Sequence, residues 1–132
     1  MTIEPVNPPE LGRPSGFSHA VVTTGGRLVF LAGQTAYDGS GRIVGDGVVA
    51  QFEQALGNLL TALRAAGGSP EHLTSLTIYA TDLASYRASG KEIGAVWRRL
   101  AGRRYPAMAA VEVSKLWDDA ALVEVQGFAV IG

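Results

Sequence analysis

The stretch DGVVAQFEQALGNLLTALRAAGGSP, residues 46–70, decides the fold. Val48, Phe52, Ala55, Leu56, Leu59, Leu60 and Leu63 recur at spacings of three and four, which draws one apolar stripe along a helix. Asp46 is placed to cap its start, and Gly67-Gly68 to close its end. Pro70 follows and prevents continuation. A helix with a single apolar face must bury that face against another layer, and the flanking sequence supplies one.

Downstream, Leu73 to Leu83 (LTSLTIYATDL) alternates, with Leu76, Ile78 and Ala80 on one side and Thr77, Tyr79 and Thr81 on the other. That is the period of a strand. A second helix is predicted over roughly residues 85–100, with Ile93, Val96, Trp97 and Leu100 inward, although Gly90 and Gly94 lower its propensity. Two strands follow, Ala109 to Leu116 and Leu122 to Ile131. Upstream, HAVVTT (19–24) and LVFL (28–31) flank Gly25-Gly26, a hairpin signal. The predicted order is ββ-α-β-α-ββ: an α+β fold with a single mixed β-sheet covered on one face by two α-helices. Residues 1–16, with four prolines, read as an extended N-terminal arm held only by packing on a partner, and residues 17–132 as one domain. The second sheet face has no helix to cover it, so a homo-oligomer is expected.

Composition narrows the function. With 132 residues, 47% hydrophobic and 17% charged, the chain suits one globular core. A net charge of −1 and a pI near 6.1 give no general pull toward nucleic acid or anionic membrane. The absence of cysteine excludes disulfides, thiolate nucleophiles and cysteine-bound metals. The polar, proline-rich start has no signal-peptide pattern and no run is long enough to span a bilayer, so a cytoplasmic location is expected. Gly39 to Gly47 is glycine-rich but lacks a following Gly-Lys-Ser/Thr, so it is not a phosphate loop. No metal or cofactor is expected.

Five segments in order carry a family resemblance: Ser15-Gly-Phe-Ser-His-Ala-Val21, Leu31-Ala-Gly-Gln34, Ala55-Leu-Gly-Asn-Leu59, Tyr105-Pro-Ala-Met-Ala109 with Val111-Glu-Val113, and Val123-Glu-Val-Gln-Gly-Phe-Ala129. Together they resemble the RidA (YjgF/YER057c, endoribonuclease L-PSP) superfamily from Ser15 onward. The resemblance implies a homotrimer with small-molecule clefts between subunits, and an enzyme of the hydrolase class that deaminates enamines and imines such as 2-iminobutanoate. Carried over residue by residue, it places the cleft at Phe17, Ala32, Gly33, Met108, Ala109 and Gln126. The arginine that would clamp a substrate carboxylate corresponds to Met108, which has neither charge nor donor. The glutamate that would orient water falls by the simplest alignment on Gln126, and the tyrosine hydroxyl is lost at Phe17. An efficient 2-iminobutanoate deaminase is therefore not expected. A divergent hydrolase of imine, enamine or related carbonyl compounds and a non-catalytic metabolite-binding protein both remain open, with ribonuclease activity least supported.

Individual residues carry competing readings. Met108 lines a pocket or fills a core gap. The arginines at 98, 99, 103 and 104 read first as a solvated helix end, then as a source of a replacement clamp from Arg103 or Arg104, and least as a nucleic-acid contact. Gln126 and Arg104 are the candidate catalytic groups. His19 and His72 have no ligand spacing. Glu112 and Glu124 read as structural hydrogen-bonding or ion-pairing groups, with a paired-carboxylate site as the alternative. Trp97 belongs to the helix stripe.

Overall fold

The apolar stripe folds as expected. In a computed structural model describing residues 1–132, helix α1 runs Val48–Ala65 and buries Phe52, Leu56, Leu59, Leu60 and Leu63 almost completely. Gly67, at φ +97°, closes it in a conformation that side chains resist. The start differs from expectation. Gly47, at φ +91°, takes the capping position, so Asp46 stands one residue too early and makes no cap.

The helix lies on a four-stranded mixed sheet of order β3-β6-β4-β5, built from β3 (Arg27–Gln34), β4 (Leu73–Ala80), β5 (Ala107–Glu112) and β6 (Val123–Ile131). Strand β6 runs antiparallel to β3 and β4, and β5 parallel to β4. The parallel pair needs a crossover, which the second helical region provides. That region is two helices, α2 (Leu83–Ala88) and α3 (Gly90–Ala101), rather than one. The Asp82 carboxylate caps α2 by accepting from the Ser85 amide at 3.0 Å. The chain breaks at Ser89 and restarts at Gly90, a residue with little helical preference. The fold is thus the expected α+β arrangement, with three helices on one sheet face.

The predicted hairpin is a turn without a ladder. Gly25 and Gly26 both have positive φ, yet β2 (Ala20–Thr24) leaves the main sheet and pairs with β1 (Thr2–Val6), while β3 pairs with β6. The N-terminal arm is therefore held by its own chain. Hydrogen bonds from Ser18 to the carbonyls of Tyr105 and Pro106, at 2.6 and 2.9 Å, join this small sheet to the start of β5. One buried polar side chain ties α1 to the segment before β6: Gln51 donates to the Ala120 carbonyl at 3.1 Å and accepts from the Leu122 amide at 2.8 Å.

The other sheet face is open. Phe30 and Phe128 are register partners on it, their rings meeting edge to face at 5.4 Å. Phe30 remains 72% exposed and neighbouring Leu28 57%.

Candidate functional site

Met108 pairs with Leu76 on β4 and so points to the helix face, where it packs beside the core. Strand β5 is an edge, and α3 does not close over it. The gap is a pocket of about 270 Å³. Its walls include Phe17, Phe52, Tyr86, Trp97, Met108 and Ala109, and none of its 14 lining residues carries a charge. Gly90, Ile93, Gly94 and Trp97 form the α3 wall. A Cβ built on Gly90 meets nothing, and one on Gly94 meets only the Arg98 guanidinium at 3.4 Å, so neither position is crowded. Trp97 is fixed by stacking on Tyr105 at 5.5 Å and by donating from its indole nitrogen to the Arg104 carbonyl at 3.3 Å.

Burial pushes the Tyr86 phenol up to about 12. It therefore stays a neutral hydroxyl at any physiological pH. The folded chain favours the protonated form, so the stability this group contributes is intact below its ordinary value of 10 and is lost as pH rises toward about 12. Ultraviolet titration of tyrosinate should show a late-ionising fraction that disappears in Tyr86→Phe.

The structure divides the expected cleft residues. Phe17, Met108 and Ala109 share the apolar pocket. Gln126 does not join them. It lies on the open sheet face, opposite Thr77, and accepts from the Tyr79 hydroxyl at 3.1 Å. Met108 and Gln126 therefore face opposite sides of the sheet within one chain. Arg104 is also elsewhere, its guanidinium donating to the Ile3 carbonyl at 2.8 Å. Arg99 pairs with Glu53 at 2.8 Å, which holds that carboxyl below its usual range. Glu112 accepts from the Leu83 amide at 3.0 Å, a structural role at the start of α2. His19 meets the Gly12 carbonyl at 3.1 Å, and His72 accepts from the Ser69 amide at 2.9 Å. No cluster of three metal-ligating side chains occurs.

Ala32 and Gly33 fall where the β3–β6 register shifts, between Leu31 and Gln34. Ala32 is exposed. Gly33 lies against Glu124, where any Cβ would collide with the carboxylate. Gly33 and Glu124 line a second pocket together with Thr35, Tyr37, Trp117 and Asp118, and Ala32 does not. Glu124 was not singled out for the cleft by sequence. The available signal was its position two residues before Gln126, on the same strand face.

Helices on one face of a mixed sheet, with an apolar pocket where they meet an edge strand, define a small α+β domain with a ligand-sized cleft. The family model described as Endoribonuclease L-PSP matches residues 10–131. The chain is 35% identical over 101 residues to protein DfrA of Myxococcus xanthus, spanning 76% of this chain and 74% of that one. It is 31% identical over 117 residues to the 2-iminobutanoate/2-iminopropanoate deaminase of Capra hircus, spanning 88% and 80%. The crystal structure of YyfB from Yersinia pestis, a Rid-family protein of unknown function, matches with a TM-score of 0.88 at 32% identity, covering 99% of this chain and all of that one. This chain belongs to the RidA/YjgF family.

Proposed function

We propose that this protein binds a neutral or weakly polar small molecule in the Met108 pocket, and that it is not an efficient 2-iminobutanoate deaminase. One observation carries the reading: the pocket wall formed by Phe17, Met108 and Trp97 is uncharged throughout. An imino-acid carboxylate brought there would lose water without gaining an ion pair, which costs several kcal/mol. A neutral carbonyl or aromatic compound loses little and gains apolar contact, with the Tyr86 hydroxyl as a donor for one polar atom. The test is calorimetric titration with 2-oxobutanoate and with a neutral ketone of the same carbon skeleton. The neutral compound should bind more tightly, and Gly94→Leu should abolish its binding, since the side chain fills the pocket while suiting the helix. Tighter binding of the oxo acid would overturn the reading.

A divergent hydrolase is the second reading, favoured by Glu124, a half-buried carboxylate beside Gly33 that can orient water. In either case we propose a homotrimer with its clefts between subunits. The support is the exposed Phe30, Leu28 and Phe128 on a sheet face that no helix covers. Light scattering should give three times the chain mass of 13.8 kDa, and Phe30→Asp should lower it to that of one chain.

A further inference from the structure

Trp117 is 99% exposed, and its segment is held rather than loose. Ala121 donates to the Asp118 carbonyl at 3.0 Å, and Gln51 fastens Ala120 and Leu122 to α1. An indole is costly to leave in water, and a fixed segment does not fold it back onto its own chain. The adjacent Asp118 and Asp119 have no ion-pair partner, the one salt bridge of the chain being Arg99–Glu53. The Met108 pocket presents the converse surface. It is uncharged and mostly apolar, and its volume of about 270 Å³ falls near the lower end of ligand-sized cavities, about 300 Å³. Just outside it, the Arg98 guanidinium lies 3.4 Å from where a Gly94 Cβ would stand. Lys91 flanks the same side of α3. Both cations are exposed and neither is in an ion pair.

We infer that the Trp117 indole of one copy of this chain seats in the mouth of the Met108 pocket of the next, with Asp118 and Asp119 against Arg98 and Lys91. An apolar knob enters an apolar hole, and the charges at the two rims are opposite in sign. One chain cannot make this contact with itself. Trp117 stands with Gly33 and Glu124 beside the open sheet face, whereas Met108 points to the helix face. A knob and a hole on opposite faces join copies head to tail, and such contacts close rings. The solvent side of the pocket is then narrowed by a residue of the neighbouring copy. This docking requires the self-association proposed above and does not depend on which ligand the pocket takes.

Trp97 is 3% exposed within the single chain, so acrylamide quenching of indole emission reports Trp117. In the assembled protein both indoles should resist the quencher, and in the Phe30→Asp single chain Trp117 should become quenchable. Gly94→Leu fills the pocket from α3 and should expose Trp117 while light scattering still gives the parent mass. Should Gly94→Leu fail to fold, Ala110→Leu serves instead, at an exposed lining position on the same side of β5 as Met108. Arg98→Asp should weaken self-association on dilution about fivefold, and Asp119→Arg in the same chain should restore it. A freely quenched Trp117 in the assembled parent, or one that stays shielded in the filled-pocket variants, overturns the docking. A parent that runs as a single chain overturns the docking and the self-association together, so mass tells the two failures apart.

Discussion

Supplied with 2-iminobutanoate generated in place by an amino-acid oxidase, this protein should release 2-oxo acid at no more than about one-hundredth of the rate of a relative bearing arginine where it has Met108. Removing one partner of a buried charge-assisted contact costs about 2–5 kcal/mol, or on the order of 10²–10³-fold in rate. The structure offers no substitute within the pocket, because Arg104 is engaged with the Ile3 carbonyl and none of the lining residues is charged. Met108→Arg alone should not restore full activity. Its guanidinium would enter an uncharged space beside Phe17 and Ala109, unpaired until an anion arrives, and should lower the melting temperature. Phe17 would still lack a hydroxyl. Pairing it with Gln126→Glu adds a carboxylate on the opposite sheet face, so any gain of the double variant over Met108→Arg would have to come from an adjoining subunit. Comparing kcat/KM across the parent, both single variants and the double measures this directly. Parent activity equal to that of an arginine-bearing relative would mean that the clamp comes from another subunit.

Phe52→Ala should destabilise the fold by about 3–5 kcal/mol, read from the shift of the urea midpoint at constant slope. Phe52 is 1% exposed, contacts Tyr86 edge to face at 6.1 Å and lines the apolar pocket. Its removal takes away contacts of the central helix and deepens a space that is already open, so little collapse can compensate. In the Phe30→Asp single chain, where Trp117 is on the surface, Trp117→Ala should change stability by no more than about 0.5 kcal/mol. A small effect at Phe52 would mean that the helices repack over the pocket.

What could be read in the sequence was local. The α1 stripe and the alternation of β4 depend on spacing within one segment, and both stand in the structure. The errors concern partners. Gly25-Gly26 does reverse the chain, but turn chemistry cannot say whether the strands it joins pair with each other, and here β2 and β3 enter different sheets. Glu124 and Gln126 share a strand face, and only the approach of Gly33 from β3 distinguishes them. The arm of residues 1–16 looked dependent on a partner because the complement of β1 lies some twenty residues away, at Thr24. The split between α2 and α3 was visible only as a weakness at Gly90. Of the expected cleft, Phe17, Met108 and Ala109 converge because the bridge from Ser18 brings the start of β2 to β5.

The two glycines of α3 also set a conflict between rigidity and capacity. Gly94, inside the helix, lowers it by roughly 0.8–1 kcal/mol relative to alanine, and both glycines line the apolar pocket without adding a side chain to it. Directed evolution for heat resistance alone would drift toward side chains at both positions and silt up the cavity. A library selected for ligand retention would hold glycine there and gain its stability elsewhere. The residue frequencies at positions 90 and 94 under the two selections would thus record whether the empty space is kept for use.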